Sequence, residues 1–114
     1  MKKLFKRLAK YVVAAYANRL YRKAVKLADS RHAQERTMIY VVSGLAGDTS
    51  LACCNRAEFR AVKEKLGIKD SVSSLKAGSW YHTADAIGRN SLAPIDKEAR
   101  KRAFVRMVIE RAGL

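Results

Sequence analysis

Apolar residues recur at every fourth position through the start of the chain: Leu4, Leu8, Val12, Tyr16, Leu20, Ala24 and Ala28, with Phe5, Ala15 and Leu27 beside them. That spacing belongs to a helix, since a half-buried strand would alternate, and no Gly or Pro interrupts residues 1–28. The pattern predicts one long basic amphipathic helix over 1–28. A helix turns by about 100° per residue, so a strict four-residue step drifts by about 40° each time and winds the apolar stripe around the axis. Lys2, Lys3, Lys6, Arg7 and Lys10 fall on the side away from Leu4, Leu8 and Val12, whereas Arg19, Arg22, Lys23 and Lys26 fall on the side the early stripe had used. Two halves facing different ways suit two different neighbours. The expectation is that Leu20 to Leu27 pack on the chain's own core while Leu4, Phe5, Leu8, Val12 and Tyr16 face a partner.

Met38 to Ser43 is rich in β-branched and aromatic residues and predicts a strand, Gly44 to Thr49 a turn, and Ser50 to Cys54 the antiparallel strand of a hairpin. Asn55 followed three residues later by Glu58 has the form of a capping box. The helix it opens has Ala57, Phe59, Val62 and Leu66 as its inward side and Gly67 as its stop. Residues 69–77 are polar and predict a turn or one loose helical turn. Gly78 to Thr83 predicts a third strand, with Trp80 and His82 on one face, Trp80 or Tyr81 in the core and His82 at the edge. After a loop over 84–92, Pro94 and Asp96 open a last helix with Asp96 as its N-cap. Phe104, Val105, Val108, Ile109 and Ala112 form its apolar stripe, and Gly113 ends it. The whole predicts an α+β fold of order αββαβα: a long N-terminal helix, a small antiparallel sheet of about three strands and two further helices. Residues 1–28 form an arm and 29–114 a compact α+β domain.

Charge sharpens this picture. The 114 residues carry 24 Lys and Arg against 10 Asp and Glu, a net +14, and nine of the basic residues lie in 1–28, which holds no acid. Nine uncompensated cations repel one another, so an anionic partner is the expectation. The residues assigned to it are Lys2, Lys3, Lys6, Arg7, Lys10, Arg19, Arg22, Lys23 and Lys26. The partner is nucleic acid or an acidic protein surface, with a homo-oligomer or larger assembly as the setting. No apolar stretch approaches the length of a transmembrane helix, and Lys10 leaves the apolar run of a would-be signal peptide too short. Peripheral attachment to an anionic membrane ranks lower, because a winding apolar face does not lie flat.

Catalytic and metal chemistry find little footing. The loop with Gly44 and Gly47 lacks the Gly-Lys-Ser/Thr of a phosphate cradle and joins two strands. Cys53 and Cys54 are adjacent, so in a strand they point to opposite faces and do not chelate together. With no third cysteine there is no disulfide framework, and a reducing interior is expected. Ser73 to Lys76 matches S-x-x-K by chance, without its companion motifs. No cofactor or metal is expected. The sequence thus predicts a non-enzymatic small basic protein of a larger assembly, cytoplasmic or within a virion, in the style of accessory or virion components of viruses and mobile elements. Two alternatives stand beside it: an RNA-cleaving, toxin-like enzyme using His82 with Asp85, Glu58 or Arg89, and the peripheral membrane protein.

Overall fold

The computed structural model describes residues 2–44, 49–66 and 75–114. Helix α1 spans Lys2–Glu35, 34 residues, two turns beyond the expected end at Ala28. Arg31 and Glu35, one turn apart, pair at 2.6 Å and support the extension. The helix ends where Arg36 takes a left-handed φ of 51° and its N–H donates to the His32 carbonyl at 2.8 Å. At 1.5 Å per residue α1 is about 51 Å long, close to the longest extent of the molecule, 53 Å.

Three antiparallel strands form the sheet: β1 (Tyr40–Ser43), β2 (Leu51–Cys54) and β3 (Tyr81–His82), in the order β2-β1-β3. Tyr40 pairs with Cys54 on one side and His82 on the other, so β1 is the central strand. The hairpin closes with Gly44 N–H donating to the Ser50 carbonyl at 2.9 Å. Regular pairing starts at Tyr40, two residues later than Met38. Before it, Ile39 N–H donates to Thr83 Oγ1 at 2.9 Å and Thr83 N–H to the Ile39 carbonyl at 3.0 Å. The element order is the expected one with a short helix added: α2 (Arg56–Leu66), then α3 (Leu75–Gly78), then α4 (Pro94–Arg111) after β3.

Helices α1 and α4 run antiparallel: Asn18 borders Arg102 to Ile109, whereas Asp29 borders Pro94 and Lys97. Between them lie Ala17, Tyr21, Val25, Phe104 and Val108, and Ala24, Ala28, Ile39 and Val41 join α1 to the sheet. Three alanines on this side let the backbones approach closely, and Tyr21 is the large side chain among them. Its ring lies 6.1 Å from Phe104, Trp80 meets Phe104 edge-on at 5.4 Å, and Tyr21 Oη donates to the Trp80 carbonyl at 2.7 Å. The stripe that α1 buries is therefore Ala17, Tyr21, Ala24, Val25 and Ala28. Leu20 is half-buried and packs against this core as expected, whereas Leu27 is exposed, contrary to the expectation that it packs inward.

The third strand also differs from its sequence reading. Trp80 sits in the bend before β3, where strand alternation does not apply, and packs into the α1–α4 core together with Tyr81. Tyr81 Oη donates to Asp29 of α1 at 2.7 Å. His82, paired with Tyr40, is buried and not at an exposed edge.

The capping box at α2 forms as expected, with Glu58 N–H donating to Asn55 Oδ1 at 2.8 Å and Asn55 N–H to Glu58 Oε1 at 3.0 Å. Arg31 ties this junction to α1 through Glu58 at 2.7 Å and the Cys53 carbonyl at 3.1 Å. Of the expected inward side of α2, Ala57 is exposed and Phe59 half-buried, and none of its described side chains is buried. At α4 the N-cap is Ala93, with Pro94 following as the first helical residue. Proline suits that place because its missing N–H would have had no helical partner, so Asp96 lies in the first turn and caps nothing. The Gly67 stop, the Ser71–Ser74 stretch and residues 45–48 of the turn lie outside the described residues. In urea denaturation, Asn55→Ala should cost about 1 kcal/mol and Phe104→Ala about 3–5 kcal/mol. Equal costs would contradict a core centred on Phe104.

Candidate anionic-partner surface

Helix α1 exchanges its two sides along its length. Residues 18 apart are separated by about five full turns and point the same way. Leu4 thus aligns with Arg22, Phe5 with Lys23 and Leu8 with Lys26, on the outward side. Lys3 aligns with Tyr21, Lys6 with Ala24, Arg7 with Val25 and Lys10 with Ala28, on the side that further along is buried. Val12 and Tyr21, nine apart, point in opposite directions, about two and a half turns removed.

The outward side is uncovered. Leu4, Phe5, Leu8, Val12 and Tyr16 are all exposed, Phe5 at 79%. Tyr11, 76% exposed, belongs with them and was missed by the four-residue step; the heptad spacing Leu4–Tyr11, two turns, carries the signal. Arg19, Arg22, Lys23 and Lys26 are exposed on the same side. Val13 is the first α1 residue packed against the core, so Lys2 to Val12 project beyond α4. Lys2, Lys3, Lys6, Arg7 and Lys10 are exposed on that projection, whose first turn holds no acid. Five cations therefore crowd the projection, and two of them, Lys2 and Lys3, lie in the first turn at the positive end of the helix dipole, an arrangement that an added anion stabilises.

Grooves widen the basic surface toward α4. One of about 700 Å³ follows α1 from Tyr11 to Lys26. A second, about 570 Å³, runs between Arg22, Lys26 and Asp29 of α1 and Lys97 and Lys101 of α4. A third, about 420 Å³, brings Asn18 beside Lys101, Arg102 and Arg106. The nearby acids are engaged: Glu98 pairs with Lys101 at 3.0 Å and Arg102 at 3.7 Å, and Asp29 accepts from Tyr81. Among the described residues Arg19, Arg22, Lys23 and Lys26 make no ion pair. Arg100, by contrast, is half-buried and not part of the solvent-facing coat: its Nη1 donates to the carbonyls of Lys76 at 3.1 Å and Ser79 at 2.9 Å.

His82 lies elsewhere, in a cleft of about 520 Å³ with Lys76, Asn90, Ser91, Asp96 and Arg100. Its Nδ1 is 3.0 Å from the Thr83 carbonyl, and burial holds its pKa below the ordinary imidazole value, with Arg100 and Lys76 acting in the same direction. The acids and the cation proposed from sequence to act with His82 do not gather there. Glu58 is held by Arg31 and Asn55. Asp85 accepts from the N–H groups of Ile87 and Arg89 and from Asn90 Nδ2 at 2.9–3.0 Å, and Arg89 borders none of the cleft. Cys53 and Cys54 are partly buried, which pushes both thiols up, Cys54 to about 11. No cluster of three His, Cys, Asp or Glu residues converges among the described residues, and no helix of the described residues is long and apolar enough to cross a membrane. Comparisons with protein families, curated proteins and solved structures returned no match.

The depressed His82 pKa sets a pH dependence. Below about pH 6.5 the unfolded chain takes up the proton that the folded one resists, so stability is lost as pH falls through that point. The melting temperature should decline between pH 7 and pH 5.5, and His82→Gln should flatten the decline. An unchanged slope in the variant would contradict the assignment to His82.

Proposed function

We propose that this is a non-enzymatic nucleic-acid-binding protein that serves as a component of a larger assembly, and that it holds the nucleic acid along the outward side of α1 and the groove beside α4. The carrying observation is the row Arg19, Arg22, Lys23 and Lys26, exposed, without ion pairs among the described residues and in line with Phe5, Tyr11 and Tyr16. Cations that follow a phosphate backbone beside aromatic rings that stack on bases are what single strands require. The crowded positive end of α1 adds a second incentive, since phosphate relieves the repulsion there. The expected behaviour is largely indifferent to base sequence.

The test is fluorescence anisotropy with a labelled single strand across a salt series. Neutralisation of about four phosphates gives a slope of log affinity against log salt near −3. Replacing Arg19, Arg22, Lys23 and Lys26 with Glu should lower affinity at least tenfold, while His82→Gln leaves it unchanged. A flat salt dependence, or undiminished binding by the fourfold variant, contradicts the reading.

An anionic membrane is the second reading, favoured by one specific observation. The exposed apolar residues from Leu4 to Tyr16 share a side instead of winding away, and the basic row continues that side. The objection that the face winds too fast to lie flat therefore does not hold. A flat surface would meet aliphatic and aromatic side chains at one end and cations at the other. Sedimentation with vesicles containing anionic lipid, against vesicles of neutral lipid alone, separates this reading from the first: capture by the anionic vesicles with no affinity for nucleic acid would replace it.

A further inference from the structure

A buried histidine with one nitrogen left over sits in the cleft between α3, β3 and the start of α4. His82 is 2% exposed. The Thr83 carbonyl at Nδ1 fixes the N–H there, which leaves the Nε2 lone pair for another partner. No buried side-chain nitrogen or oxygen among the described residues lacks a hydrogen bond, so Nε2 keeps some contact with solvent, and His82 lines the cleft. Two cations border the same space. Arg100 is held rigidly through Nη1 by the carbonyls of Lys76 and Ser79 and by Ser79 Oγ at 3.3 Å, which leaves the rest of its guanidinium for a ligand. Lys76 is exposed at the mouth.

We propose that this cleft binds the phosphate of a small phosphorylated sugar, Lys76 and Arg100 meeting the phosphate oxygens and His82 Nε2 forming the remaining hydrogen bond. A phosphomonoester has its second pKa near 6, so one proton is shared between a phosphate oxygen and Nε2, and the hydrogen bond forms whichever atom holds it. Phosphate alone is far smaller than the cleft of about 520 Å³. Asp96 and Ser91, which line the rest, suit sugar hydroxyls as acceptor and as donor or acceptor. The charged and titratable groups around His82 are Lys76 from α3, Arg100 and Asp96 from α4, and Tyr40 from β1, its ring 6.3 Å away. No residue of α1 lines the cleft, so the proposal stands or falls apart from nucleic-acid binding.

The chain has two histidines, and proton NMR resolves both rings, with His32→Gln assigning them. His32, tied to the Thr37 carbonyl at 2.9 Å, is the internal control. Ribose 5-phosphate titrated to about 20 mM, well past the millimolar range of weak sites, should shift the His82 resonance saturably and raise its titration midpoint, leaving His32 in place. Ribose should move neither, and inorganic phosphate should bind more weakly than the sugar phosphate. Lys76→Ala, an exposed change whose own ligand-free titration serves as its baseline, should weaken binding roughly fivefold or more, the loss of one charged contact. Absence of a saturable His82 shift, equal shifts of both rings, an equal response to ribose, or unchanged binding by Lys76→Ala would each overturn the proposal.

Discussion

One side of α1 carries the structure, and it does so with alanine. Ala17, Ala24 and Ala28 are fully or almost fully buried, and their small side chains bring the helix backbone close to α4 and to the sheet. Tyr21 fills the space they leave, packing on Phe104 and donating to the Trp80 carbonyl. This single contact joins α1, α4 and the chain entering β3. Removal of any of the three would expose the others, because the sheet has only two full-length strands and depends on helices to cover it.

The cost of that design is a helix with a second, unused side. A chain whose α1 existed only to support its own body would have made the outward side polar throughout. Instead the outward side is apolar where the helix projects and basic where it is backed by the core, with the reverse on the inner side. The exchange happens within one uninterrupted helix, so the two patterns share a rigid rod and their relative direction is fixed. A partner lying along the outward side meets greasy and cationic surface in succession. The inner lysines of the projection remain free at the positive end of the helix dipole.

Much of the fold was legible because its signals are local. Helical periodicity, the β-branched run before a glycine turn, Asn55 with Glu58, and Pro94 ahead of an apolar stripe all act within a few residues, and each placed its element correctly. The failures share a nonlocal cause. Hydropathy ranks Leu27 above alanine, yet close helix packing buried Ala17, Ala24 and Ala28 and left Leu27 outside. The end of α1 is secured by Arg31 reaching Glu58, a partner on another helix. His82 lies on the edge strand β3 yet is buried, because Tyr40 packs beside its ring and α3 and the start of α4 flank it. Arg100 reads as one cation among several on α4, and only the fold shows it clasping the end of α3. Of the outward surface, the cations and five apolar positions were readable from spacing alone; Tyr11 was not, since it falls on the seven-residue step.

On the proposed function, the outward side of α1 is open in the free protein and covered in the complex. Hydroxyl-radical footprinting read by mass spectrometry, with and without a saturating single strand, measures both states residue by residue. Phe5, Tyr11 and Tyr16 should oxidise readily in the free protein and become protected in the complex, while Tyr21 and Phe104 stay unreactive throughout. Slow oxidation of Tyr11 and Tyr16 in the free protein, or equal oxidation in the saturated complex, would contradict it.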